Sequence, residues 1–521
     1  MKKLIILLLT VCAITPLSAQ VARGKVFVDA NRNGVFDTGE KGIAHVAVSN
    51  GTEVVLTDNK GFYSIQAPEN SIIFVIKPPE YQFYLDEFNL PQFYYKHYPE
   101  GGPKQKNPGI LPTGPLPDDI SFPLIPGKKE DGFKALIYGD TQVGNLEDLD
   151  FLGRDIIADL ATSEAYTFAT ILGDIVHEVP SLYQPLNKIM SALKIPVYNV
   201  QGNHDMNYDA MSDRLATETF KLVYGPKNYA FNYGRVHFIV LDNILYSGDT
   251  IRYDYTEGFD EEALSFVMND LKHVPADRLI VLMMHAPFIN EYSMKPIVNT
   301  DKILAAIERF PHTFSISGHN HTVSQQFLGK ESGWNGNSPH HHFNAGAVCG
   351  NWWNGAFDEY GIPDATMYDG TPNGYAILTF ADNTYTVDYQ VARRPASYQM
   401  NIYIPSVIRL NSDTGAANDV LVNFFTGSER DEVTIRFDNR QGFAMTRVLQ
   451  TDPGYVGLYK RWESSQTAFY GRKPPEPQIC SHLWKLLVPR DLTPGIHKAE
   501  VTATDLFGRK FKAFQFFRVE K

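Results

Sequence analysis

Cysteine is scarce, with three residues in 521, and this excludes a fold stapled by a disulfide framework. Cys12 lies in the N-terminal apolar stretch, leaving Cys349 and Cys480 as a pair that an oxidising compartment could join. Positive charge is also short. Lys and Arg number 47 against 59 Asp and Glu, a net charge of -12, which argues against a protein that grips a nucleic-acid backbone. Long apolar runs are missing beyond the N-terminus, so no later segment is expected to span a bilayer. What is present is ample core material: 43% hydrophobic and 13% aromatic residues, rich in Tyr and Phe. Such a chain is globular, and its length favours about three domains.

The first residues have the form of an export signal. Lys2 and Lys3 precede an apolar run from Leu4 to Ala13, and small residues follow to Ala19. That run falls short of the ~20 residues a spanning helix needs. We therefore expect residues 1–19 to be removed and the chain to act in the periplasm or at the cell surface.

Three regions follow. Residues 20–126 read as short strands broken by turns, a small β-sandwich that runs into a Pro- and Gly-rich linker. Residues 127–392 alternate strands with helical stretches, an α/β pattern with buried strands. Residues 393–521 return to strands and turns, expected as an Ig-like sandwich. In the first region Asp29, Asn31, Asn33, Val35, Asp37 and Glu40 occupy the ligand positions of an EF-hand loop, with Gly34 at its sharp turn. Alternate oxygen donors can wrap one Ca²⁺. The segment resembles the calcium-binding B-type repeats of surface adhesins, which implies a structural ion.

Chemistry concentrates in five blocks of the middle region: GDTQ (Gly139–Gln142), GDIVHE (Gly173–Glu178), GNHD (Gly202–Asp205), His285 in MMHAP, and GHNH (Gly318–His321). Each falls just past an expected strand, where loops on a rigid sheet carry function. A lone histidine at a strand end is usually structural, but that reading would have to hold separately at every block.

In this order the blocks resemble the calcineurin-like metallophosphoesterases. The resemblance implies a four-layer αββα core flanked by two β-sandwich domains. It also implies two divalent transition metals, Mn, Fe or Zn, bridged by Asp174. Asp140, Gln142 and His321 would complete one metal site, and Asn203, His285 and His319 the other. A hydroxide bridging the metals would attack phosphorus, with His204 acting on the leaving oxygen. Two residues depart from the family pattern. Gln142 stands where a histidine is usual, and His177 stands where an aspartate orients the catalytic histidine, leaving Glu178 or Asp205 for that task.

Downstream, Trp352 and Trp353 in GNWWNG and Asp369 in the DGTPNGY loop suggest a wall that stacks and hydrogen-bonds a sugar or nucleoside on the phosphate. His340, His341 and His342 are assigned no ligand role, because neighbouring strand residues face opposite ways. The expected partner is a small phosphorylated substrate. The rival is an envelope binding or adhesion protein built on a weakened phosphoesterase core.

Overall fold

Runs rich in Val, Ile, Phe and Tyr produce strands throughout, and helices are added mainly in the middle of the chain. The computed structural model describes residues 20–128, 130–249, 254–290, 293–409, 418–464 and 469–520. The expected export signal, residues 1–19, lies outside them.

The middle region holds two sheets. One has the strand order Val197–Val200, Phe168–Leu172, Gly132–Tyr138, Gly374–Ala381, Thr384–Val391, the first three parallel. The other runs Tyr229–Tyr233, Val236–Leu241, Leu279–Met284, His312–Ser317, His340–Ala345, Val323–Leu328, parallel across its central four. The strands Phe168–Leu172 and Leu279–Met284 are buried at every position, as parallel strands covered on both faces must be.

Aromatic side chains join the sheets face to face. Tyr198 stacks on Phe231 with ring centroids 3.8 Å apart, and Phe238 meets Phe168 at 5.2 Å. Amphipathic helices such as Tyr183–Met190 and Glu261–Leu271 supply the outer layers, completing the αββα sandwich.

The N-terminal unit is a pair of four-stranded sheets, in which Val21–Val28 pairs in parallel with Phe122–Pro126. It does not hang on a linker. Phe74 contacts Phe266 at 5.7 Å and Phe93 contacts Tyr229 at 5.3 Å, so the unit shares one apolar core with the αββα sandwich. The Pro- and Gly-rich stretch expected to be a spacer is bonded to the sandwich instead. Lys106 N donates to Asp209 at 2.6 Å, Gln105 Nε2 to Leu215 O at 2.9 Å, and Thr219 Oγ1 to Pro108 O at 2.8 Å.

The C-terminal unit has its own core between a four-stranded and a five-stranded sheet, with Val422, Phe424, Val501 and Phe517 inside. It also contains a helix absent from the all-β expectation, Pro453–Ser464, whose first turn is capped by Asp452 Oδ1 accepting from Tyr455 N at 2.9 Å. Cys349 and Cys480 are both free and buried, so the expected opportunity for a disulfide is not taken. Among the described residues no helix is long and apolar enough to cross a membrane.

Candidate metal centre

The parallel strands of both sheets end at one rim, and each sequence block begins there. Asp140 follows Gly132–Tyr138, Asp174 follows Phe168–Leu172, and Asn203 follows Val197–Val200. From the facing sheet, His285 follows Leu279–Met284, while His319 and His321 follow His312–Ser317. Glycine makes the approach possible. A Cβ on Gly202 would sit 2.2 Å from Asp174 N, and one on Gly318 would sit 2.4 Å from Asp140 Oδ2. Asp140, Gln142, Asp174, His319 and His321 all hold positive φ, from 22° to 75°, a cluster of backbone strain of the kind that functional sites retain.

Hydrogen bonds fix which ring nitrogens face inward. His285 Nδ1–H donates to Leu172 O at 2.8 Å, which turns Nε2 toward Asn203 Oδ1 at 3.0 Å and Asp174 Oδ1 at 3.3 Å. His321 Nδ1–H donates to Gly350 O at 2.6 Å, and its Nε2 lies 3.7 Å from Asp140 Oδ1. His319 Nε2–H donates to Glu257 Oε1 at 3.1 Å, so its Nδ1 faces His285 Nε2 at 3.0 Å. Glu257, on the short strand Tyr255–Glu257, carries no motif and was not anticipated. Asn290 Nδ2 holds its other oxygen at 2.9 Å.

The donor set fits divalent cations. Ligand atoms of Asp174, His285 and His319 lie within 4.8 Å of one another. Asp140 Oδ1 is buried without a hydrogen-bond partner, a costly state for a carboxylate oxygen unless a cation meets it. The charge balance points the same way. Burial opposes ionisation of His285, yet Asp174 and Asp140 push it up to about 10. Burial likewise opposes charge on Asp174, but His285 and His204 hold its carboxyl far below the usual carboxylate range. Burial, reinforced by the charges of Asp174 and Asp205, takes Asp140 the other way, well above that range. The site attracts positive charge and holds it among acceptors.

Gln142 reaches the same centre. Its Nε2 lies 3.2 Å from Asp174 Oδ2 and its Oε1 lies 3.7 Å from Cys349 Sγ. Turning the amide over presents the oxygen as a ligand in place of the usual imidazole.

The choice between Glu178 and Asp205 is decided by geometry. Glu178 Oε1 lies 3.1 Å from His204 Nδ1, whereas Asp205 accepts from the backbone N–H groups of Ile175 and Gly202 at 3.1 and 2.9 Å and so braces the loops. His204 Nε2 faces inward, 3.9 Å from Asp174 Oδ2. His177 stacks on His204 at 4.6 Å, and burial together with His204 pushes its pKa down to about 4, which keeps it neutral at ordinary pH.

The expected substrate wall is not built. Trp353 is fully buried, donating to Thr141 O at 3.0 Å and packing on Phe151. Asp369 is also buried, accepting from Val323 N at 2.8 Å and facing His482 Nε2 at 3.1 Å, at the junction with the C-terminal unit. Trp352 reaches the rim, but His321 covers one side of it at 4.4 Å and the Arg472 guanidinium another at 3.6 Å, leaving it no face for a sugar or base. His340 and His342 are core residues bonded through Ser315, and His341 bonds Tyr385 and Gln325.

The calcineurin-like phosphoesterase family model matches residues 133–323, which contain every block. Models for the N-terminal and C-terminal parts of calcineurin-like phosphoesterases match residues 30–110 and 342–511. The last begins inside the αββα core, on the strand His340–Ala345. No curated protein matches the sequence. Among solved structures, the chain is similar to a purple acid phosphatase, PPD1, from yellow lupin (Lupinus luteus) seeds, at 12% identity over 68% of each chain with a TM-score of 0.37.

Proposed function

From the membership of this chain in the calcineurin-like phosphoesterases, we propose that it is an exported hydrolase of small phosphate esters, working at a dinuclear centre bridged by Asp174. Metal-dependent phosphoester hydrolysis is the family's activity, and the observation that carries the rest is the convergence of Asp174, His285 and His319 beside the unpartnered Asp140 Oδ1. Asp140, Gln142, Asp174 and His321 would hold one ion; Asp174, Asn203, His285 and His319 the other. The mixture of carboxylate, amide and imidazole suits Mn, Fe or Zn. When bound, such a pair supplies positive charge to the phosphoryl oxygens and makes hydroxide available near neutral pH.

The protein's own groups do the rest. Glu178 fixes the His204 ring through Nδ1, and the Asp174 carboxylate accepts the His204 backbone N–H at 2.8 Å. His204 Nε2, at the open side of the centre, is placed to give its proton to the departing ester oxygen. Asp205 ties the two loops that carry Asp174 and Asn203, preserving ligand spacing. With Gln142 in ligand position and Glu178 in the orienting role, nothing in the geometry favours the binding-only reading over an active enzyme.

The deciding experiment uses protein recovered from the exported fraction. Intact mass should place the first residue near Gln20, elemental analysis should find about two transition-metal ions per chain, and an aryl phosphate should release phosphate. Metal-free protein that hydrolyses neither monoesters nor diesters would end this reading.

A structural Ca²⁺ in the N-terminal loop is the secondary part of the proposal. Asn31 and Asn33 direct their side-chain amides to Asp37 Oδ2 at 2.7 Å, and Glu40 accepts from Ala30 N and Asp37 N at 3.0 Å, so the loop is closed on itself by the side chains that would hold the ion. Asp29 is committed to the loop as well, accepting from Gly34 N at 2.6 Å and from the Tyr84 hydroxyl at 2.5 Å. Calcium should therefore raise the melting temperature of the wild type and not that of Glu40→Gln. Equal melting curves with and without calcium in the wild type would refute this.

A further inference from the structure

A loop from outside the catalytic sandwich docks beside Trp352, next to the metal-site residue His321. Tyr470 of the C-terminal unit pairs with Gly355 through two backbone hydrogen bonds of 3.2 and 3.0 Å. Its hydroxyl reaches Asp148 at 3.1 Å, and its ring meets Phe151 at 5.1 Å. Gly471 then turns with φ 76°, pressed so closely on Asn354 that a Cβ would lie 2.8 Å from that side chain. This docking sets down Arg472, whose guanidinium lies 3.6 Å from the centroid of the Trp352 ring. Trp352 in turn packs at 4.4 Å against His321, one of the metal-site residues. On the other flank the Arg472 charge reaches His177, which stacks on His204. An exposed cation is thus held over the rim, between the His321 side and the acid His204.

We propose that Arg472, supplied by the C-terminal domain and seated on Trp352, is a specificity-determining residue that binds the non-reacting oxygens of a terminal phosphate and so favours phosphomonoesters over diesters. The proposal rests on the phosphoesterase reading above. Stacking engages the face of the guanidinium, while its N–H donors lie in the ring plane, at right angles to that contact. Two of them match two oxygens of a terminal phosphate as a fork. Esterifying one of those oxygens removes both a charge and an acceptor, so a diester gains less from the same side chain. The arrangement also explains why the C-terminal unit is anchored by Tyr470 to the loop that follows Trp352.

The test compares wild type, Arg472→Ala and Arg472→Lys as full-length, metal-loaded protein. Phenyl phosphate and methyl phenyl phosphate share a leaving group and differ only in the second ester. Arg472→Ala should raise KM for phenyl phosphate and the inhibition constant for inorganic phosphate by roughly 10- to 100-fold, and KM for the diester by at most about threefold. Metal content and melting temperature should not move, and Arg472→Lys should recover part of the loss. Should Arg472→Ala lose metal or fold, Arg472→Gln against Arg472→Lys decides on the same constants. Unchanged phosphate inhibition, or equal losses on both substrates, would overturn the assignment while leaving the phosphoesterase reading intact. A wild type that binds no transition metal and hydrolyses neither ester would remove both together.

Discussion

Asp174→Asn is expected to abolish phosphate release and to strip most of the transition metal, while the metal-free fold survives. Asparagine has the shape of aspartate, so the bond from His204 N to Oδ1, 2.8 Å long, and the strained backbone at φ 47° can both persist. What disappears is the negative charge shared between the two halves of the centre. Asp174 is in side-chain contact range of both sets, 3.3 Å from His285 Nε2 and 3.2 Å from Gln142 Nε2. A neutral amide offers one oxygen, and a single oxygen without full charge is a poor bridge between two cations. The loss in metal affinity should exceed the ~10- to 100-fold typical of residues that only orient ligands. Stability should fall as well. Asp174 is among the groups that raise the pKa of Asp140 and Asp205, but despite burial its own carboxyl is held far below the usual range by His285 and His204, so its charge is a net stabiliser of the metal-free fold. The melting temperature of metal-free Asp174→Asn should therefore lie below that of the metal-free wild type, with the fold retained. Full metal content with normal turnover in this variant would remove the bridging role.

The sequence made the ligand set legible for a physical reason. Metal-binding side chains at strand ends need tight turns, and Gly173, Gly202 and Gly318 mark turns where a Cβ would collide with Asp174, His285 or Asp140. What was illegible depends on contacts that spacing does not encode. Glu178 rather than Asp205 orients His204 because Glu178 adopts φ 62° and swings its carboxylate to the ring, while Asp205 turns to the backbone. Glu257 and Arg472 stand on a two-stranded ribbon and a C-terminal loop without motifs, and only the fold brings them to the rim. Trp352 and Trp353 are neighbours with opposite fates, one at the rim and one in the core, and both departures from the expected wall follow from that local turn. The Pro- and Gly-rich stretch packs rather than spaces, because backbone without periodicity still bonds well to loops of another unit. The missed helix Pro453–Ser464 did leave a signal: Asp452 followed by Pro453 is a cap with proline at the first helical position.

His204→Ala carries the second large expected effect, and its signature separates acid catalysis from metal binding. Turnover should fall by the ~100- to 10,000-fold typical of a lost proton donor, with both metals retained, since the backbone N–H that His204 donates to Asp174 survives the change and its ring is not one of the proposed ligands. The loss should depend on the leaving group. An alkyl phosphate, whose departing oxygen must be protonated, should suffer most; an activated nitrophenyl ester, which departs as a stable anion, should suffer least. Glu178→Gln keeps a hydrogen-bond acceptor but replaces the carboxylate that fixes the ring by an amide, so it should cost ~10- to 100-fold with the same leaving-group trend. Because Glu178 acts through His204, from 3.1 Å away, the double variant should be no slower than His204→Ala alone. Additive losses would place Glu178 in a separate role, and a His204→Ala protein that lost its metals, or slowed equally on every leaving group, would mean that this histidine is a ligand and not the proton donor.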